Sequence, residues 1–170
     1  MKYLYIIRHA KAEPFKSNQE DHERQLIEQG KKRAEKLGKW LLNASPGIEQ
    51  IFCSSSNRTC QTAEIINTEF LDKVPVNINS ELYGATEEIL LNFLVNINDE
   101  INSIGLIGHQ PGIKNLAIYL TGGYSKGLEN SLNVNFSTSS ALILLLNIKR
   151  WDQISERIGI LSNYYNSLKA

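Results

Sequence analysis

The chain has 170 residues, 42% of them hydrophobic, and 18 Lys and Arg balance 18 Asp and Glu. That length suits one domain with a full core and leaves little room for a second, so residues 1–170 are expected to form a single domain. Zero formal charge supplies no global field toward nucleic acid or an anionic membrane, and no stretch approaches the roughly 20 apolar residues of a membrane helix.

The first predicted element is a strand over 2–8, a continuous apolar run of the kind found in sheets covered on both faces. Only five uncharged residues separate Lys2 from Arg8, too few for a secretory core, and a cytoplasmic location is expected. Ile27, Ala34, Leu37, Gly38 and Leu41 recur at helical spacing, with Lys31, Lys32, Glu35 and Lys36 on a solvated face. A short strand over 51–54 leads into a helix over 57–70. Val74–Ile78 is a candidate edge strand, and a helix from Glu87 to about Asn96 has Thr86 as its cap. A central strand over 103–109 precedes a helix from Pro111 to Leu120, with the proline suited to a first helical position. Ser140–Asn147 is a strand, and the segment 151–164 adds a last one by a hairpin. Strands alternating with helices predict an α/β fold, a three-layer α/β/α sandwich on a mostly parallel central sheet. Cys53 and Cys60 match neither a zinc nor a redox spacing and read as small buried fillers.

Three strand ends carry chemistry. Ile6-Ile7-Arg8-His9 and Ile107-Gly108-His109 each finish an apolar run on a histidine, and Ser56-Asn57-Arg58 brings an arginine to a helix start. Ligands of open α/β sheets sit at strand carboxyl ends, and helix amino termini attract anions. Two arginines and two histidines around one point suggest a phosphoryl group. His9 is the candidate nucleophile, since neutral imidazole can form a phosphohistidine intermediate. Arg8 and Arg58 can clamp phosphoryl oxygens with bidentate hydrogen bonds. A cation is electrostatically misplaced in the first turn of a helix, so Arg58 calls for an anion nearby. His109 is expected to donate to a phosphoryl oxygen as imidazolium, favoured by the anion beside it. Neither a metal-ligand set nor a glycine-rich phosphate loop followed by Lys-Ser or Lys-Thr is present, so no metal or other cofactor is implied.

Arg8-His9-Ala10-Lys11-Ala12-Glu13, then Ser54-Ser55-Ser56-Asn57-Arg58-Thr59-Cys60-Gln61-Thr62-Ala63, then Gly108-His109-Gln110-Pro111-Gly112 resemble the ordered motifs of the histidine phosphatase (phosphoglycerate mutase-like) superfamily. Arg-His-Ala-Lys in place of Arg-His-Gly, followed by Asp21-His22-Glu23-Arg24-Gln25-Leu26, is similar to the short SixA-like phosphohistidine phosphatase branch. The resemblance implies a phosphoglycerate mutase-like fold and a hydrolase with a phosphorylated protein or small phosphate ester as substrate and phosphate as product. It also makes Arg24 a pocket candidate, against a salt bridge with Asp21 or Glu23, and leaves Lys11 as a rim charge. His22 lies in a polar stretch and reads as solvated. Many relatives carry a glutamate four residues before a glycine that follows an aromatic, whereas Glu81 stands three before Gly84. Glu81 is therefore either the leaving-group acid or a solvated loop carboxylate. A site lacking a placed acid suits the P–N bond, because imidazole leaves more readily than alkoxide. Phosphohistidine phosphatase is the favoured reading, with a small-molecule phosphomonoesterase or a catalytically silent phosphate-binding module as alternatives.

Overall fold

The computed structural model describes residues 1–133 and 135–169. Its strands are β1 (Lys2–Arg8), β2 (Gln50–Ser54), β3 (Val76–Asn79), β4 (Ser103–Gly108), β5 (Thr121–Tyr124), β6 (Ala141–Leu146) and β7 (Gly159–Tyr165). The helices are α1 (Glu28–Leu42), α2 (Asn57–Thr68), α3 (Glu87–Val95) and α4 (Gly112–Leu120). The strands form one mixed sheet in the order β3-β2-β4-β1-β6-β7-β5. From β3 to β1 all pairs are parallel, β6 runs antiparallel to β1 and β7, and β5 is parallel to β7.

Alternation along β1 sends successive side chains to opposite faces. Leu4 and Ile6 join α3 and α4 through Leu90, Leu94, Ile113 and Leu116. Tyr5 and Ile7 join α1 and α2 through Leu37, Leu41, Ala63 and Ile66. These two cores make the three layers. At the far end of β1 the wholly buried Lys2 donates to Asp99 O (2.6 Å), Ile101 O (3.0 Å) and Asn102 Oδ1 (3.1 Å), which satisfies its ammonium away from water.

Two elements depart from expectation. β5 has the sequence Thr-Gly-Gly-Tyr and follows α4 without an intervening turn, so no apolar alternation announces it. Gly122 lies so close to β7's approach that an added Cβ would sit 1.9 Å from Arg157 O. The last strand begins at Gly159 rather than Trp151, because residues 151–153 form a 3-10 turn that buries the indole, with Trp151 Nε1 donating to Ile101 O at 2.9 Å. α4 starts at Gly112, with Pro111 as its N-cap. Cys53 and Cys60 are free thiols, and burial pushes Cys53 up to about 12. Among the described residues no helix is long and apolar enough to cross a membrane.

Candidate active site

The parallel register pairs Arg8 with Gly108, so the residues that follow, His9 and His109, leave adjacent central strands side by side. Their ring centroids lie 5.1 Å apart at 54°. His9 is 9% exposed. Its Nδ1 is 2.7 Å from Ala10 O. A carbonyl only accepts, so Nδ1 carries the proton and Nε2 keeps its lone pair. Burial drives the His9 pKa down to about 3, against the Ala10 hydrogen bond and with help from His109, Arg58 and Arg8. The imidazole is neutral at pH 7, the state a nucleophile needs.

Arg58, in the first turn of α2, is 6% exposed. The anion its position demands is supplied by the chain itself. Nη1 donates to Asp21 O (2.6 Å) and Nη2 to Asp21 Oδ2 (2.8 Å). Arg24 Nη1 also reaches Asp21 Oδ1, and Tyr83 Oη donates to Oδ2, each at 2.7 Å. Partial burial opposes ionisation of Asp21, but the Tyr83, Arg24 and Arg58 donors prevail and hold its carboxyl well below the usual range. Arg8 is half-buried. Its Nη1 donates to Phe136 O at 2.7 Å, while its buried Nε has no partner among the described residues.

His109 Nε2 lies 2.8 Å from Ser54 Oγ and Nδ1 lies 3.4 Å from Arg58 Nη2. Because a guanidinium only donates, Nδ1 accepts and Nε2–H donates to the serine. Burial first, then the Arg58 charge, lowers the His109 pKa to about 4. The Asp21 carboxylate opposes this shift but is outweighed by burial and the Arg58 charge. The imidazolium expected beside a phosphoryl anion is thus a property of the substrate-bound site.

Arg24 pairs with Asp21 and also donates from Nε to Glu13 O at 2.7 Å, so it braces the loop that carries Asp21. Lys11 is an exposed rim charge, 3.2 Å from Gln29 Oε1. Glu81 is exposed in a 3-10 turn over Ser80–Leu82, where it lines a cavity with Phe52, Asn92 and Phe93 rather than with either catalytic-site histidine. His22 is not simply solvated. It is half-buried, with Nε2 2.9 Å from Ser55 Oγ and its ring edge-on to Tyr83 at 5.0 Å. Asp21, Tyr83 and Ser54 were not singled out by sequence reasoning. The unmatched charge of Arg58 at a helix start and the salt-bridge alternative for Arg24 were the signals pointing to Asp21. Among the described residues no three His, Cys, Asp or Glu side chains converge as metal ligands.

Residues 4–84 match the family model described as histidine phosphatase superfamily (branch 1). Uncharacterized protein ML1117 of Mycobacterium leprae (strain TN) is 30% identical over 153 residues, covering 87% of this chain and 91% of that protein. The chain belongs to the histidine phosphatase superfamily. Its phosphoglycerate mutase-like fold is shared with solved members of that superfamily. A candidate phosphohistidine phosphatase SixA from Agrobacterium tumefaciens superposes with a TM-score of 0.81 at 22% identity, covering 97% of each chain. The protein histidine phosphatase SixA complexed with tungstate gives 0.77 at 19%, covering 98% of each. A mycobacterial glucosyl-3-phosphoglycerate phosphatase gives 0.66 at 15%, covering 95% of this histidine phosphatase and 99% of that chain.

Proposed function

We propose that this histidine phosphatase hydrolyses phosphohistidine on a protein, without a metal, through a phosphohistidine intermediate on His9, and that residues 1–170 act as one catalytic domain. The observation that carries the reading is the Nδ1–H bond of His9 to Ala10 O, which presents the lone pair of Nε2 in a cluster of cationic and neutral donors. Arg8 Nε, a buried donor without a partner among the described residues, and the Arg58 guanidinium bind equatorial phosphoryl oxygens. Neutralising the charge on these oxygens is the main task in phosphoryl transfer. A phosphoryl dianion beside His109 opposes the effect of Arg58 and raises its pKa, so that His109 becomes the charged donor only with substrate in place. The tungstate complex of a SixA with the same fold supports an oxyanion site in this architecture.

In the first step His9 Nε2 bonds to phosphorus as the P–N bond to the substrate imidazole breaks. Water then attacks phosphorus, phosphate leaves, and His9 is restored. The placement of Glu81 favours nitrogen over oxygen leaving groups, because an alkoxide without an acid departs poorly. A small-molecule ester reading draws support from the glucosyl-3-phosphoglycerate phosphatase neighbour. The test compares kcat/KM on a phosphohistidine peptide with that on a phosphoserine peptide and a sugar phosphate. Preference for phosphohistidine by at least tenfold is expected. Equal or better turnover of the alkyl esters overturns the substrate assignment.

A further inference from the structure

The proposed reaction passes a phosphoryl group between two imidazoles, and each must leave phosphorus as a neutral ring. That requires a proton on the nitrogen across the ring from the P–N bond. On the enzyme's side the requirement is met, since His9 Nδ1–H is held on Ala10 O. On the substrate's side a donor must reach the distal ring nitrogen, one ring width further from phosphorus than the bridging oxygen of an ester. The obvious acids are committed elsewhere. The Asp21 carboxylate accepts from Arg58, Arg24 and Tyr83, and the two ring nitrogens of His109 face Ser54 and Arg58. Glu81 lines a different cavity.

His22 remains, and its position suits the task. Ser54 and Ser55, consecutive residues at the carboxyl end of β2, hold two imidazoles: Ser54 Oγ lies 2.8 Å from His109 Nε2 and Ser55 Oγ 2.9 Å from His22 Nε2. Tyr83 stands between the rings, edge-on to His22 at 5.0 Å and 72° and to His109 at 5.6 Å and 89°. His22 and His109 are thus held on consecutive serines and share the Tyr83 ring as a neighbour. Its Nδ1 makes no hydrogen bond to the described residues. We infer that His22 is a catalytic residue that donates a proton to the distal ring nitrogen of a phosphohistidine substrate. This assignment rests on the phosphohistidine reading above.

The proton balance is closed. His22 gives its proton to the distal nitrogen while the electron pair of the breaking P–N bond stays on the proximal nitrogen, so neutral imidazole leaves. When water attacks phosphorylated His9, the bond from His9 Nε2 to phosphorus breaks with its electron pair on nitrogen, and a proton of the water returns to His22. An imidazole can both give and take a proton, as the two half-reactions need.

The test is His22→Gln, whose amide can keep a hydrogen bond to Ser55 while lacking an exchangeable acid. Measured on the full chain, kcat/KM for a phosphohistidine peptide should fall about 10²-fold or more beyond any fall in kcat/KM for p-nitrophenyl phosphate. The aryl ester has no distal nitrogen, and its weakly basic phenolate needs little help. A parallel loss on both substrates makes His22 a structural residue and overturns the inference. So does an undiminished phosphohistidine rate. If the unmutated protein turns over p-nitrophenyl phosphate but not phosphohistidine, the substrate reading fails and takes this one with it. That result differs from both others because it appears before any substitution is made.

Discussion

Acidification should unfold this protein through its two central histidines. Folded His9 takes up a proton only near pH 3 and His109 only near pH 4, whereas histidines of an unfolded chain do so near 6.5. Below about pH 6.5 the unfolded chain therefore binds more protons than the folded one. Stability is full above that pH and is lost as it falls toward 3. Each histidine contributes a slope of about 1.4 kcal/mol per pH unit, so the pair gives about 2.7 kcal/mol per unit between roughly pH 6 and 4.5. That slope consumes a large part of the ~5–15 kcal/mol of a typical domain within two pH units. Urea unfolding followed by the fluorescence of Trp40 and Trp151 at several pH values would measure it. His9→Asn and His109→Asn should each remove about one proton's worth of slope, and the double variant about two. An unchanged slope in the double variant would show that neither imidazole is kept neutral and that His9 is not a ready nucleophile.

Glu81→Gln should change kcat/KM less than about threefold on any substrate, since Glu81 lines another cavity. A loss of 10²-fold or more, largest for basic leaving groups, would restore it as the acid. Gly112→Ala would place a Cβ 1.9 Å from Ala85 O, two residues past Tyr83. Relief of that overlap costs about 1–3 kcal/mol, so thermal unfolding should show a Tm lower by several degrees, and activity should fall as the Tyr83 loop shifts from His109.

Where a residue is determined by its own strand or helix, the sequence was readable. β1, β2 and β4 are apolar enough to mark themselves as central, and that places Arg8, His9 and His109 at one end of the sheet. α2 follows β2 directly and delivers Arg58. β5 was illegible because Gly122 serves a close approach to Arg157 in the segment before β7, a tertiary need without a local pattern. The stretch around Asp21 and His22 looked solvated for a similar reason. Its polar side chains are organised by Arg58, Ser55 and Tyr83, which lie 33 to 62 residues away in sequence. The unfavourable charge of Arg58 at a helix start implied an anion, but composition could not say that a carboxylate of the same chain would provide it.

The covalent intermediate is the most direct test of the whole account. The protein would be mixed with a labelled phosphodonor, quenched in alkali to preserve phosphoramidates, and mapped by mass spectrometry. The expected result is base-stable, acid-labile phosphate on His9, present in the unmutated protein and in Glu81→Gln and absent from His9→Ala, which should fold normally and show no turnover. Sustained turnover with no phosphate on His9, or turnover retained by His9→Ala, would contradict it.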